Sequence, residues 1–213
     1  MAAYDLEEQE QLAELKLWWK RYGNLVILAL SLVLMLFAAW TGWKLWQHNQ
    51  AQQASAAYSE LQQAARDSDT KKVSEIAGTL LEQFSRTTYA PLAALISAKV
   101  HFESGDLKTA KAQLRWVIDN ARDGELRDIA RLRLSGLFLD EKAYDEALKS
   151  LDIKPSPHLD SLFSNARGDV MLAQGKNVEA RNAFKIALDK APSKQVAARE
   201  LLQLKIDAIG GGQ

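Results

Sequence analysis

Three histidines, 27 acidic side chains and no cysteine are the groups from which this 213-residue chain could build an active site. His48, His101 and His158 stand far apart. None has a second His, Asp or Glu at a spacing that metal ligands use, so no metal site is predicted. Without a thiol there is no thiolate nucleophile, disulfide, cysteine metal site or lipid-modified cysteine. The glycines form neither GxGxxG nor GxxxxGK[ST], and GxSxG is missing, so no phosphate loop or nucleophile elbow is predicted. Asp140, Glu141 and Lys142, followed by Asp145 and Glu146, sit at a predicted turn and helix start, where acids help to cap a helix. The remaining carboxylates are too scattered to nominate an acid–base pair. The expectation is a non-enzymatic protein without a cofactor.

The elements that would carry any function divide sharply by composition. From Tyr22 to Trp43 there is no Asp, Glu, Lys or Arg. About 20 helical residues cross the roughly 30 Å apolar core of a bilayer. Leu25 to Ala39 is apolar on every face except at Ser31, whereas a helix packed on a globular core would show a polar side. A cleaved signal peptide has a shorter apolar region and a basic start. Here Asp5, Glu7, Glu8, Glu10 and Glu14 precede the run, and Trp40, Trp43 and Trp46 close it, as interfacial indoles do. Residues 24–46 are therefore predicted to be a retained transmembrane helix in contact with lipid. Lys16, Lys20 and Arg21 lie on its N-terminal side; Lys44 alone lies close on the other. The side richer in Lys and Arg stays in the cytoplasm. Residues 1–23 are thus expected to be cytoplasmic and residues 47–209 on the outer side, which in a bacterium with two membranes is the periplasm, with 210–213 a flexible tail.

Removing residues 1–43 takes three basic and five acidic groups from 27 of each, leaving 24 and 22. A nearly neutral domain does not attract polyanions at long range, so nucleic acid is not an expected partner. Pro and Gly are sparse and good helix formers dominate, which predicts an all-α domain. KLWQHNQAQQASAAYSELQQAAR (44–66) has no helix breaker and is predicted to extend the membrane helix as a stalk that merges into the domain. A short coiled-coil dimer is the alternative, although heptads are not sustained.

The domain repeats. Ala77, Ala110, Ala147 and Ala180 stand 33, 37 and 33 residues apart. Leu81, Leu114, Leu151 and Phe184 follow each by four; Ala65, Ala98, Ser135 and Gly168 precede each by twelve. Small residues let paired helices approach, and the large one fills the space beside them. This pattern resembles the tetratricopeptide repeat (TPR), a 34-residue helix pair, best over 161–194, where Gly168, Met171, Gly175, Ala180, Phe184, Ala187 and Pro192 keep its spacing. The first unit, about 54–88, is a repeat by register alone. KPSPH (154–158) must stop the third unit's second helix early. His101 occupies a position that the repeat usually fills with an aromatic, so packing accounts for it.

The fold class expected is all-α: one N-terminal transmembrane helix followed by a TPR-like α-solenoid whose pairs share a core. The TPR resemblance implies that the first helix of each unit lines a concave face. That role falls on Leu92, Leu95, Lys99 and Phe102, on Ile129, Leu132 and Leu139, and on Leu162, Asn165, Asp169 and Leu172. These residues either pack against neighbouring helices or form a partner groove; helical periodicity does not separate the two. The last helix, expected over 195–209, either caps the stack or lies in that groove.

EEQEQLAELKLWWKRYGN (7–24), TGWKLWQ (41–47), TTYAPLAAL (87–95) and RLRLSGLFLD (131–140), in this order and spacing, resemble the YfgM-type family. Its members are ancillary subunits of the SecYEG translocon in the inner membrane of Gram-negative bacteria. The resemblance covers nearly the whole chain and implies partners: the SecYEG translocon, a PpiD-type periplasmic chaperone and secretory polypeptides in transit. It also implies an alternative, restraint of an envelope-stress response regulator by the cytoplasmic segment. A structural scaffold for envelope complexes is the other alternative.

Overall fold

In a computed structural model of the chain, residues 2–210 are described, with side-chain surroundings from residue 10 onward. Nine α-helices and one 3₁₀ turn follow one another, with no strand among the described residues. They are α1 (Ala2–Arg66), α2 (Thr70–Gln83), α3 (Tyr89–Glu103), α4 (Leu107–Asn120), α5 (Gly124–Asp140), α6 (Tyr144–Leu151), the 3₁₀ turn Pro157–Leu159, α7 (Asp160–Ala173), α8 (Asn177–Lys190) and α9 (Val196–Gly210). The chain forms two units, 1–50 and 51–213. Gly210 closes α9, so of the expected 210–213 tail the first residue is helical and the rest lies outside the described residues.

The first unit is helical throughout residues 2–50, and its large apolar side chains from Leu25 to Trp46 are all exposed. A water-soluble helix would bury such a surface; this one is long and apolar enough to cross a membrane. Trp18, Trp19 and Tyr22 cluster at one end and Phe37, Trp40, Trp43 and Trp46 at the other. Tyr22 and Trp43 are separated by about 31 Å at the helical rise, the thickness of a hydrocarbon core. Lys44 Nζ lies 4.1 Å over the Trp40 ring. Thr41 Oγ1 donates to the carbonyls of Phe37 and Ala38, both at 3.0 Å, so its hydroxyl enters the apolar region satisfied.

The second unit repeats one turn four times. Ser68, Gly105, Lys142 and Gly175 all adopt positive φ, 56°, 84°, 60° and 75°. The N–H of each donates to the carbonyl three residues back, and the next N–H donates to the carbonyl five back. This left-handed exit satisfies the last carbonyls of one helix and turns the chain into its partner. Asp69 and Asp106 then cap α2 and α4, accepting from the N–H of Lys72 and Thr109 at 3.0 Å.

Counting from these turns corrects the register of the first unit. Five residues after each come Val73, Ala110, Ala147 and Ala180; nine after come Ala77, Leu114, Leu151 and Phe184; seven before come Leu61, Ala98, Ser135 and Gly168. The alanine at 77 therefore belongs to the large-residue position, and the first unit is displaced by four residues from the expected alignment. The cause is an exchange of size. Leu61 and Val73 are large where the other units are small, and Ala77 is small where they are large. All three are fully buried, so the pair keeps its volume while its pattern inverts.

Packing runs from each unit to the next. The end of α1 shares one core with α2 and α3; α3 to α6 share a second, which Val170 of α7 joins. The Pro155 and Pro157 segment ends α6 after eight residues, where α2, α4 and α8 each run for fourteen. Arg167 Nη2 donates to the freed carbonyl of Leu151 at 2.6 Å. α9 packs on α8, burying Leu202 and Ile206 beside Phe184, Ala187 and Ala191, and so caps the last pair.

Candidate protein-interaction face

The residues expected on the concave face fall in four rows across α3, α5 and α7, with Gly136, which was not among them, completing the third. The first is Leu92, Ile129 and Leu162; the second Leu95, Leu132 and Asn165. The third is Lys99, Gly136 and Asp169, and the fourth Phe102, Leu139 and Leu172. The structure sorts them into four kinds. Leu95 is 6 % exposed and belongs to the core, beside Leu114 and Leu134. Ile129 and Leu132 are half-buried against Leu151, Leu159 and Phe163, and Leu139 is half-buried on the main core. Leu92 is half-buried too. Asn165 and Asp169 are occupied by α9: Lys205 Nζ donates to Asn165 Oδ1 at 2.9 Å and to Asp169 Oδ1 at 2.6 Å. Lys99, Phe102, Leu162 and Leu172 present surface, the last three at 44 %, 51 % and 39 % exposure.

Lys99 and Phe102 meet at a cleft of about 420 Å³ between α3 and α5. Its floor is Ala98, Leu114 and Leu137, its walls Phe102 and Gly136, and its rim the charges of Lys99, Glu103, Arg133 and Asp140. Gly136 makes the opening. It stands where the flanking units carry Lys99 and Asp169, and a Cβ built on it would meet nothing within 4 Å. Arg133 is held at the edge by donation from Nη1 to the Leu95 carbonyl at 3.2 Å. An apolar floor with both signs of charge at the rim suits a polypeptide, whose side chains fill the floor while its polar groups meet the rim. Gly136 was readable in the sequence as the one departure from the polar third row. The tetratricopeptide pattern does not mark that row, so a repeat search gives it no weight.

A second polar arrangement escaped the sequence. Ser74 Oγ lies 2.8 Å from His101 Nε2, and His101 Nδ1 lies 3.3 Å from Asp106 Oδ2. Hydroxyl, imidazole and carboxylate are the order that nucleophilic catalysis uses. Here Ser74 Oγ also donates to the Thr70 carbonyl at 2.8 Å, and Ser74 lies inside α2, where backbone N–H groups are committed to the helix. N–H groups committed to the helix are not available to hold an oxyanion there. The arrangement ties α2, α3 and the turn before α4 together through a buried ring. The hydroxyl and N–H of Thr109, then the adjoining ring of His101, hold the Asp106 carboxyl below its ordinary value of 3.8. Among the described residues no three His, Asp or Glu side chains gather closely enough for a metal ion.

A family model described as "Tetratricopeptide repeat-like domain" matches residues 16–211. The chain is 30 % identical over 210 residues to a protein of Neisseria gonorrhoeae, covering 98 % of this chain and 100 % of that one. It is 33 % identical over 192 residues to a protein of Haemophilus influenzae, covering 87 % and 90 %. With a protein of Escherichia coli K12 it shares 27 % over 204 residues, 95 % and 96 %. Each of the three is named "Ancillary SecYEG translocon subunit". No solved structure matches.

Proposed function

The chain belongs to the YfgM-type family of membrane-anchored tetratricopeptide repeat-like proteins, and from that membership we propose that it is an ancillary subunit of the SecYEG translocon. In this reading it is a non-enzymatic, single-pass inner-membrane protein. Its N-terminal segment is cytoplasmic and its helical domain periplasmic, where it holds secretory polypeptides or a PpiD-type chaperone near the exit of the channel. The observation that carries the reading is the α3–α5 cleft, with an apolar floor, an exposed Phe102 and a rim of mixed charge. A tether in the same membrane supports it, because anchoring raises the effective concentration of the cleft beside other membrane complexes without any new contact. Lys16, Lys20 and Arg21 against Lys44 support the orientation. Isolation of the tagged chain from native membranes in mild detergent tests the association. SecY, SecE and SecG are expected to co-purify in comparable amounts; recovery of the chain without SecY under conditions that preserve SecYEG would overturn it.

A further inference from the structure

α5 carries Arg127 and Arg131 one turn apart, a spacing at which like charges repel. Their counterparts 37 residues earlier are Ala90 and Ala94, both fully buried. Their counterparts 33 residues later are Asp160 and Ser164. Two guanidinium groups at these positions are thus a property of the third unit alone. The space they occupy follows from the short α6. The chain leaves that helix early and returns through Lys154, Pro155, Ser156 and Pro157, leaving a cleft of about 460 Å³. Arg127, Arg131 and Lys154 line it, with Asp128, Ser156 and Gly124.

The acids around this cleft have partners other than Arg127, Arg131 and Lys154, although they keep their charge. Asp128 Oδ2 accepts from the N–H and hydroxyl of Ser156 at 2.8 and 2.9 Å. Asp123 accepts from the Glu125 N–H at 2.9 Å, and Glu125 pairs with His158 at 2.8 Å. Among the described residues none forms an ion pair with Arg127, Arg131 or Lys154. The Nε of Arg131 is withdrawn from solvent without a hydrogen-bond partner. A buried donor left unmatched is costly unless something else completes it.

We propose that this cleft binds a phosphate group. Three cationic side chains and one carboxylate, Asp128, line it, a formal net charge of +2. A carboxylate would balance half of that charge; a phosphate carries more and offers several oxygens to the guanidinium forks of Arg127 and Arg131 and the ammonium of Lys154. The site does not involve the α3–α5 cleft: Arg133, which edges that cleft, points about 200° around α5 from Arg131. The phosphate is either free or on a lipid headgroup, and the two sources separate experimentally.

The test uses the full chain in nanodiscs of phosphatidylcholine, with inorganic phosphate titrated at constant ionic strength against chloride. The thermal midpoint of the helical domain is read by circular dichroism. A saturable rise with phosphate is expected, with its half-point moved about tenfold higher in Arg127→Gln, Arg131→Gln and Lys154→Gln. Arg127 and Lys154 are exposed, so their variants keep the test available if Arg131→Gln does not fold. In a second arm, nanodiscs containing phosphatidylglycerol replace added phosphate. A rise there, lost in the variants, assigns the group to a lipid headgroup; a rise with inorganic phosphate alone assigns it to a free anion. No rise in either arm, a rise matched by chloride, or a rise undiminished in all three variants overturns the proposal.

Discussion

Gly168 and Phe184 occupy one space: a Cβ built on Gly168 would stand 2.4 Å from Phe184 Cε1. α7 and α8 approach so closely because this pair combines no side chain with a large one. Gly→Ala inside a helix ordinarily stabilises by about 0.5–1 kcal/mol. Here overlap with a fully buried ring dominates. Gly168→Ala is expected to lower stability by about 1–3 kcal/mol, read from the thermal midpoint. Adding Phe184→Leu should recover part of the loss, a coupling that a double-mutant cycle measures. Ala180→Leu, one turn before Phe184, should cost about as much by overpacking. Unchanged midpoints would contradict the packing described.

Lys205 reaches back from α9 to Asn165 and Asp169 and lies 5.0 Å over the Phe184 ring. The ion pair is half-buried, so it is screened less than an exposed one. Lys205→Met is expected to lower stability by about 1 kcal/mol, with a smaller difference in high salt, and to speed hydrogen exchange in α9. A variant whose α9 exchanges at the wild-type rate would show that the contact does not hold the cap.

Asp106 has a depressed folded-state pKa, chiefly through its hydrogen bonds from Thr109. A carboxyl lowered by folding stabilises the fold above its unfolded value and loses that contribution as pH falls through the folded one. Asp106→Asn is therefore expected to show a constant penalty from neutral pH down to the ordinary carboxyl range. Below the unfolded value of 3.8 the two proteins should converge. Denaturant midpoints across pH check this; a penalty that grows with acidity would be the wrong sign.

The chain has no cysteine, so single introduced thiols report its topology without background. Ser193→Cys in the exposed α8–α9 connection should react with a membrane-impermeant maleimide in spheroplasts, and Glu14→Cys should react only after lysis. The reverse pattern would place the helical domain in the cytoplasm.

Much of this architecture is legible in the sequence, and the exceptions share a cause. The membrane helix is local: it needs only a run without charge and indoles at its border. The last three repeat units are nearly as local, because a small residue at one position and a large one nine after the turn recur in each. The first unit misleads because Leu61, Val73 and Ala77 exchange sizes, and a pattern search follows size while packing follows volume. Contacts between residues far apart in sequence left no periodic trace. Lys205 to Asp169 spans 36 residues and Ser74 to His101 spans 27. For Leu95 the spacing leaves packing and groove equally open, and it is core, because α3 is covered on more sides than its spacing reveals. The α3–α5 cleft depends on what is absent at Gly136, which a search for functional side chains passes over.

The role of the α3–α5 cleft is tested most directly by a photo-crosslinking amino acid at Phe102, in cells, with and without Gly136→Leu. The new side chain would enter open space and fill the cleft, so the fold should be unharmed or more stable by up to about 1 kcal/mol. Adducts with SecYEG subunits or secretory polypeptides are expected at Phe102, with their loss in Gly136→Leu and none from the same crosslinker at exposed Val178 on α8. Adducts of equal strength in the filled variant, or equally from Val178, would contradict that role.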